Sequence, residues 1–224
     1  MDITKRLQEL DPTLVLHNEG DWTGSLDTSK VGFTSFNDAG IESETGEFLY
    51  AMARILKPDN ILETGTHIAV AASYMGMALK DNKKGHLTTI EFLPNIHYQA
   101  VKRINDLGLA DIVTCHFGDA GEFIPPAGIQ YQLILLDTEP QTRFGEAVQF
   151  LGTLAAGGFV FIHDLHRHMH QIPNEEHGFA WPFGLIPDKL REAVNSGVLR
   201  PFHFSTPRGL TGFYKIHPSD YKWR

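Results

Sequence analysis

The chain has 224 residues, of which 42% are hydrophobic and 21% charged, with a formal net charge of −8. This length fits a single domain, 1–224, with a sizeable core, and the balance is that of a globular chain. The acidic charge argues against a general nucleic-acid or anionic-membrane binder, which needs a basic face.

One cysteine, Cys115, can form no internal disulfide, so a reducing compartment is expected. In its apolar strand it reads as a buried small hydrophobe. The N-terminus lacks the apolar core of a signal peptide, and no run is long enough to span a bilayer. A cytoplasmic protein with no membrane or nucleic-acid partner is the expectation.

Ile3 to Leu10 reads as a short amphipathic helix stopped by Asp11-Pro12. Leu16 to Gly40 is polar, with isolated aromatics at Trp22, Phe33 and Phe36, and reads as a long loop. Ser43 is the expected N-cap of a helix with Phe48, Met52 and Ile55 at helical spacing, ending before Pro58.

Asn60 to Ser73, NILETGTHIAVAAS, is the organising stretch. An apolar strand ends at Leu62, a polar turn holds Glu63-Thr64-Gly65-Thr66, and a helix follows from Ala69. Strand, glycine turn and helix form the first crossover of a doubly wound sheet, whose ligand site lies at the carboxyl ends of the strands. A dinucleotide loop favours three glycines. This turn has only Gly65, and Glu63 would repel a diphosphate. Glu63 instead suits a ligand with ammonium and sulfonium charges, such as S-adenosylmethionine.

His86 to Ile90 is a second strand ending at Glu91, an acid placed to accept from both hydroxyls of a ribose. Phe92 follows. Pro94 to Leu107 is a helix, and Ile112 to His116 a third strand leading to Gly118-Asp119-Ala120. Ala120 to Phe123 reads as a short helix that Asp119 could cap. Tyr131 to Leu136 is a continuous apolar strand ending at Asp137, as expected at the centre of a parallel sheet. Phe144 to Leu154 is a helix, Ala155 to Gly158 the turn out of it, and Phe159 to Ile162 a strand ending at His163-Asp164. Residues 165–187 form a lid-like insert rich in histidines and aromatics. A helix from Asp188 to Ser196 and two strands, Val198 to Phe204 and Leu210 to Ile216, close the chain.

The ordered motifs from Glu42 to Asp164 resemble those of class I S-adenosylmethionine-dependent methyltransferases, most closely the catechol and caffeoyl-CoA type small-molecule O-methyltransferases and their bacterial relatives. The resemblance implies an α/β fold: a doubly wound, Rossmann-like, mostly parallel seven-stranded sheet with a C-terminal antiparallel strand pair. It implies that residues 1–40 cap the cofactor and that relatives' dimers extend to a homodimer here. It implies that Glu63, Gly65, Thr66, Ser73 and Glu91 hold S-adenosylmethionine. Phe92 would cover the adenine, Gly118, Asp119 and Ala120 its edge, and Asp137 completes the set. The chain departs from the family pattern at Ala69 and Ala71, where the family has glycine and serine.

Asp137 and Asp164 end adjacent core strands and are expected to converge, where they could bind Mg²⁺ or another divalent cation. The family's third ligand position holds Leu165 and its lysine base position holds Pro140. The rival reading gives Asp137 to the cofactor's amine and Asp164 to the acceptor. His163, His166, His168 and His170 form a cluster, with His177 beyond. Imidazole suits proton transfer near neutral pH, so Asp164, His166 and His163 are the catalytic candidates. Arg143, Phe179, Trp181 and Phe183 are acceptor-pocket candidates.

The function expected is methyl transfer to oxygen on a small molecule. Three rivals stand beside it: a metal-dependent hydrolase or oxygenase using the histidine cluster, a nicotinamide-dependent oxidoreductase, and a non-catalytic adenosyl-binding module.

Overall fold

The computed structural model describes residues 2–19, 33–36, 40–139, 141–164, 187–204 and 208–217. They fall into two compact units, Met1–Ala120 and Gly121–Arg224.

The first unit carries α1 (Ile3–Leu10), β1 (Leu16–Glu19), β2 (Phe33–Phe36), α2 (Ser43–Leu56), β3 (Asn60–Thr64), α3 (Val70–Asn82), β4 (His86–Glu91), α4 (Pro94–Asp106) and β5 (Val113–Phe117). The Asp2 carboxylate accepts from the Lys5 amide at 3.0 Å and so caps α1. β3 pairs with β4, and β4 with β5, both parallel. Every residue of α3 from Val70 to Leu79 is buried. That matches its sequence, which is apolar or small on all sides. α2 packs on α3 through Gly46, where a Cβ would lie 2.4 Å from the Tyr74 ring. The Tyr74 hydroxyl shares a 2.7 Å hydrogen bond with the Thr4 hydroxyl, tying α1 to the same core.

The second unit carries β6 (Tyr131–Leu136), α5 (Arg143–Phe150), a 3₁₀ turn at Leu151–Thr153, β7 (Leu154–His163), α6 (Asp188–Asn195), β8 (Leu199–Phe204) and β9 (Leu210–Lys215). Leu133 to Leu136 are all buried, as a strand covered on both faces requires. β6 and β7 run parallel, and β9 is antiparallel to both β7 and β8. Rings from these strands pack together: Phe159 lies 4.9 Å from Tyr214 and Phe161 5.4 Å from Phe202, centroid to centroid.

The strand order is β5-β4-β3-β6-β7-β9-β8, a mostly parallel seven-stranded sheet with the expected antiparallel pair at its C-terminal end. No helix among the described residues is long and apolar enough to cross a membrane.

Four local expectations are corrected. The stretch read as loop from Leu16 to Gly40 contains the antiparallel pair β1–β2, with Leu16 opposite Phe36. Ser43 is the first residue of α2 and Glu42 its N-cap. Ala120 to Glu122 is a turn and Phe123 follows it, so the short helix expected there does not form. Ala155 to Gly158 is a bulge inside β7, with Leu154 opposite Tyr131 and Phe159 already opposite Leu133.

Candidate active site

The turn after β3 is bound to the end of β4. The amides of Gly65 and Thr66 both donate to the Ile90 carbonyl, at 3.0 and 3.1 Å. Gly65, His67 and Ala69 all have left-handed backbone, with φ of 76°, 47° and 63°. This winding points the His67 amide at Glu91 Oε2, 2.8 Å away. The Leu93 amide reaches Glu91 Oε1 at 2.9 Å. Both oxygens of this buried carboxylate are therefore held by backbone donors.

Glu63, Thr89 and Cys115 form a cross-strand row on β3, β4 and β5. The Thr89 hydroxyl donates to Glu63 Oε2 at 2.5 Å, and Thr66 donates to Thr89 at 2.5 Å. Glu63 is thus a buried acid inside a threonine chain. Burial, with a smaller push from the Glu63 charge, raises the Cys115 thiol to about 12. Cys115 itself is half-buried. Ser73 is fully buried and donates to the Ala69 carbonyl at 2.5 Å, within its own helix. Phe92 is 57% exposed and so stands outside the core. The Gly118 amide donates to the Glu91 carbonyl at 3.0 Å, joining the end of β5 to β4. Asp119 is exposed and Ala120 buried.

In the second unit the ends of β6 and β7 converge as expected. Asp137, His163 and Asp164 each offer a ligand atom within 4.8 Å of the others, a spacing suited to a metal ion. His163 Nδ1 lies 3.1 Å from Asp137 Oδ1 and 3.6 Å from Asp164 Oδ1. Two guanidiniums share the cluster. Arg143 Nη2 lies 3.2 Å from Asp137 Oδ1 and 3.3 Å from Asp164 Oδ2. Arg208 grips Asp164 side-on, Nε to Oδ1 at 2.6 Å and Nη2 to Oδ2 at 2.9 Å. Burial alone would raise the Asp164 carboxyl; the charges of His163, Arg208 and Arg143 outweigh it and hold the group well below the usual carboxylate range.

The carboxylates retain some exposure, whereas the His163 side chain has none. An imidazole so enclosed reaches the acids and not an acceptor. Arg143, read as a pocket wall, is instead buried and pinned: Nε donates to the Thr138 carbonyl at 2.7 Å and Nη1 to the His163 carbonyl. Arg208 had no signal in the sequence beyond its place in a Pro-Arg-Gly turn. His166, His168, His170, His177, Phe179, Trp181, Phe183, Leu165 and Pro140 lie outside the described residues.

A family described as a methyltransferase domain matches residues 62–165. The chain is 28% identical over 159 residues to a catechol O-methyltransferase of Niastella koreensis, covering 66% of this chain and 70% of that one. Its fold resembles the O-methyltransferase TomG of Streptomyces achromogenes, solved with S-adenosylmethionine, at a TM-score of 0.64 and 18% identity over 81% of this chain and 83% of that one. It likewise resembles the O-methyltransferase of Bacillus cereus, solved with S-adenosylhomocysteine, at a TM-score of 0.65 and 16% identity over 80% and 83%. The resemblance read from the motifs is borne out: residues 62–165 match a methyltransferase domain, and the proteins that the chain resembles include a catechol O-methyltransferase and O-methyltransferases of the same fold.

Proposed function

We propose that this protein transfers the methyl group of S-adenosylmethionine to an oxygen of a small molecule. The observation that carries the reading is Glu91, an acid at the carboxyl end of β4 whose two oxygens are each held by one backbone amide. Each oxygen keeps a lone pair for a further donor. Two adjacent ribose hydroxyls are the matching ligand. The turn at Gly65 lacks the glycines that a diphosphate needs, and its acid, Glu63, favours a cationic ligand. These residues fit an adenosyl sulfonium better than a dinucleotide.

When bound, S-adenosylmethionine supplies a methyl group activated by positive sulfur. In this reading Glu91 orients the ribose, while Phe92, Gly118, Asp119 and Ala120 surround the adenine. Gly65 and Thr66 bring backbone close to the ligand, and Asp137 takes the amino group. Ser73 and Glu63 act one step back, Ser73 by closing the first turn of α3 and Glu63 by its charge. Asp164 orients the acceptor hydroxyl. His163 positions Asp137, and His166 is the candidate acceptor of the hydroxyl proton.

Calorimetric titration with S-adenosylhomocysteine tests the reading. Micromolar binding to the wild type, lost in Glu91→Ala, is the expected result. No binding to the folded wild type overturns it.

A further inference from the structure

The Asp137–Asp164 cluster has the residue types of a cation site and the charge balance of a finished one. Among the described residues its two carboxylates face two guanidiniums and the His163 imidazole, so no net negative charge awaits an ion. Arg143 Nη2 sits between the two acids, 3.2 Å from one and 3.3 Å from the other. A Mg²⁺ bridging the same oxygens would sit about 2.1 Å from each and must take that gap. Arg143 is poorly placed to vacate it. Its side chain is 4% exposed, and its remaining donors hold the carbonyls of Thr138 and His163. Withdrawing it would break its bonds to two carbonyls and take one cation from each acid. Arg208 meanwhile occupies both oxygens of Asp164 in a bidentate pair. The residue after Asp164 is leucine, which offers no side-chain oxygen.

We infer that Arg143 and Arg208 stand in the electrostatic place of a divalent cation, and that the protein binds none there. The residues do not fit the metal that the resemblance implies. The inference rests on the methyl-transfer reading only for its consequence, which is transfer without a divalent ion. The acids are held in register by fixed cations of the chain itself.

The test uses Mn²⁺ as probe, read by electron paramagnetic resonance on the full chain. The wild type is expected to leave the free Mn²⁺ signal unchanged up to millimolar ion. Arg208→Ala removes one positive charge beside three ligand atoms and is expected to bind Mn²⁺ about tenfold tighter or better. Arg208→Lys keeps the charge and is expected to behave as the wild type. Micromolar Mn²⁺ binding by the wild type that Asp164→Asn abolishes overturns the inference. So does a folded Arg208→Ala that gains no Mn²⁺ affinity. If Arg208→Ala does not fold, the wild type and Asp164→Asn decide alone. S-adenosylhomocysteine titration of the same preparation, with and without a chelator, separates the two claims: absent binding sinks the methyl-transfer reading and leaves the Mn²⁺ result standing.

Discussion

Arg103 on α4 reaches Asp11, ninety-two residues earlier, with Nε 2.8 Å from Oδ2. The pair is nearly closed to solvent, at 10% and 8% side-chain exposure. The same guanidinium donates through Nη1 to the Ile68 carbonyl at 2.5 Å. One side chain thus joins the end of α1 to the turn that presents its amide to Glu91.

Replacing Arg103 is expected to act on both. Arg103→Met leaves Asp11 buried without its cation, a loss of about 3 kcal/mol by analogy with other broken buried pairs. It also frees the Ile68 carbonyl. The expected outcome is a lower denaturation midpoint together with weaker S-adenosylhomocysteine binding. A midpoint that falls while affinity stays constant shows that the pair serves stability only.

Acid should unfold the protein through two identified carboxylates. Burial alone would raise Asp11, but hydrogen bonds from Thr13 and Arg103 hold it below its ordinary value. Asp164 is held lower by the neighbouring positive groups. A folded pKa below the unfolded one gives stability that is full above the unfolded value and lost as pH falls through the folded one. The melting temperature is therefore expected to be insensitive to these two groups at neutral pH and to fall below about pH 4. Asp11→Asn should be less stable at neutral pH and lose less on acidification, as melting curves across that range will show.

Gly46→Ala is expected to destabilise by about 1–3 kcal/mol through overpacking. The added methyl would meet the Tyr74 ring at 2.4 Å. That ring is fully buried and tethered by its hydroxyl to Thr4, so it has little room to turn. Chemical denaturation measures the shift. A change under about 0.5 kcal/mol would show that α2 moves aside.

Cys115 should be inert in the folded state. With its thiol pushed up to about 12, almost no thiolate exists near neutral pH. Disulfide reagents are expected to label it slowly in buffer and rapidly in denaturant. Rapid labelling of the native protein would show that β5 opens.

Legibility followed the range of the interactions. Tyr131 to Leu136 emerged with correct ends because a strand buried on both faces writes an unbroken apolar run. The helix at Ile3 to Leu10 was equally clear, being amphipathic and followed by Asp-Pro. The convergence of Asp137 and Asp164 followed from parallel strands ending in acids. Arg208 was invisible because its partner, Asp164, is 44 residues away and nothing local marks an arginine in a turn as paired. β1 and β2 were missed because each has four residues and polar members, and they pair across a gap. The bulge at Ala155 to Gly158 was read as a turn because Gly157, at φ 80°, breaks the strand pattern locally while pairing resumes beyond it.

Ala69 adopts φ 63°, a backbone that an alanine tolerates at a penalty of about 1–2 kcal/mol relative to glycine. Its amide donates to the Thr66 carbonyl at 2.9 Å, and its carbonyl accepts from both the Ser73 amide and hydroxyl. The bend is therefore imposed by its neighbours and not licensed by its own residue type. A motif defined by glycines marks where the backbone bends most cheaply. Here the bend forms at an alanine, so the loop takes its shape from its hydrogen bonds and not from a glycine.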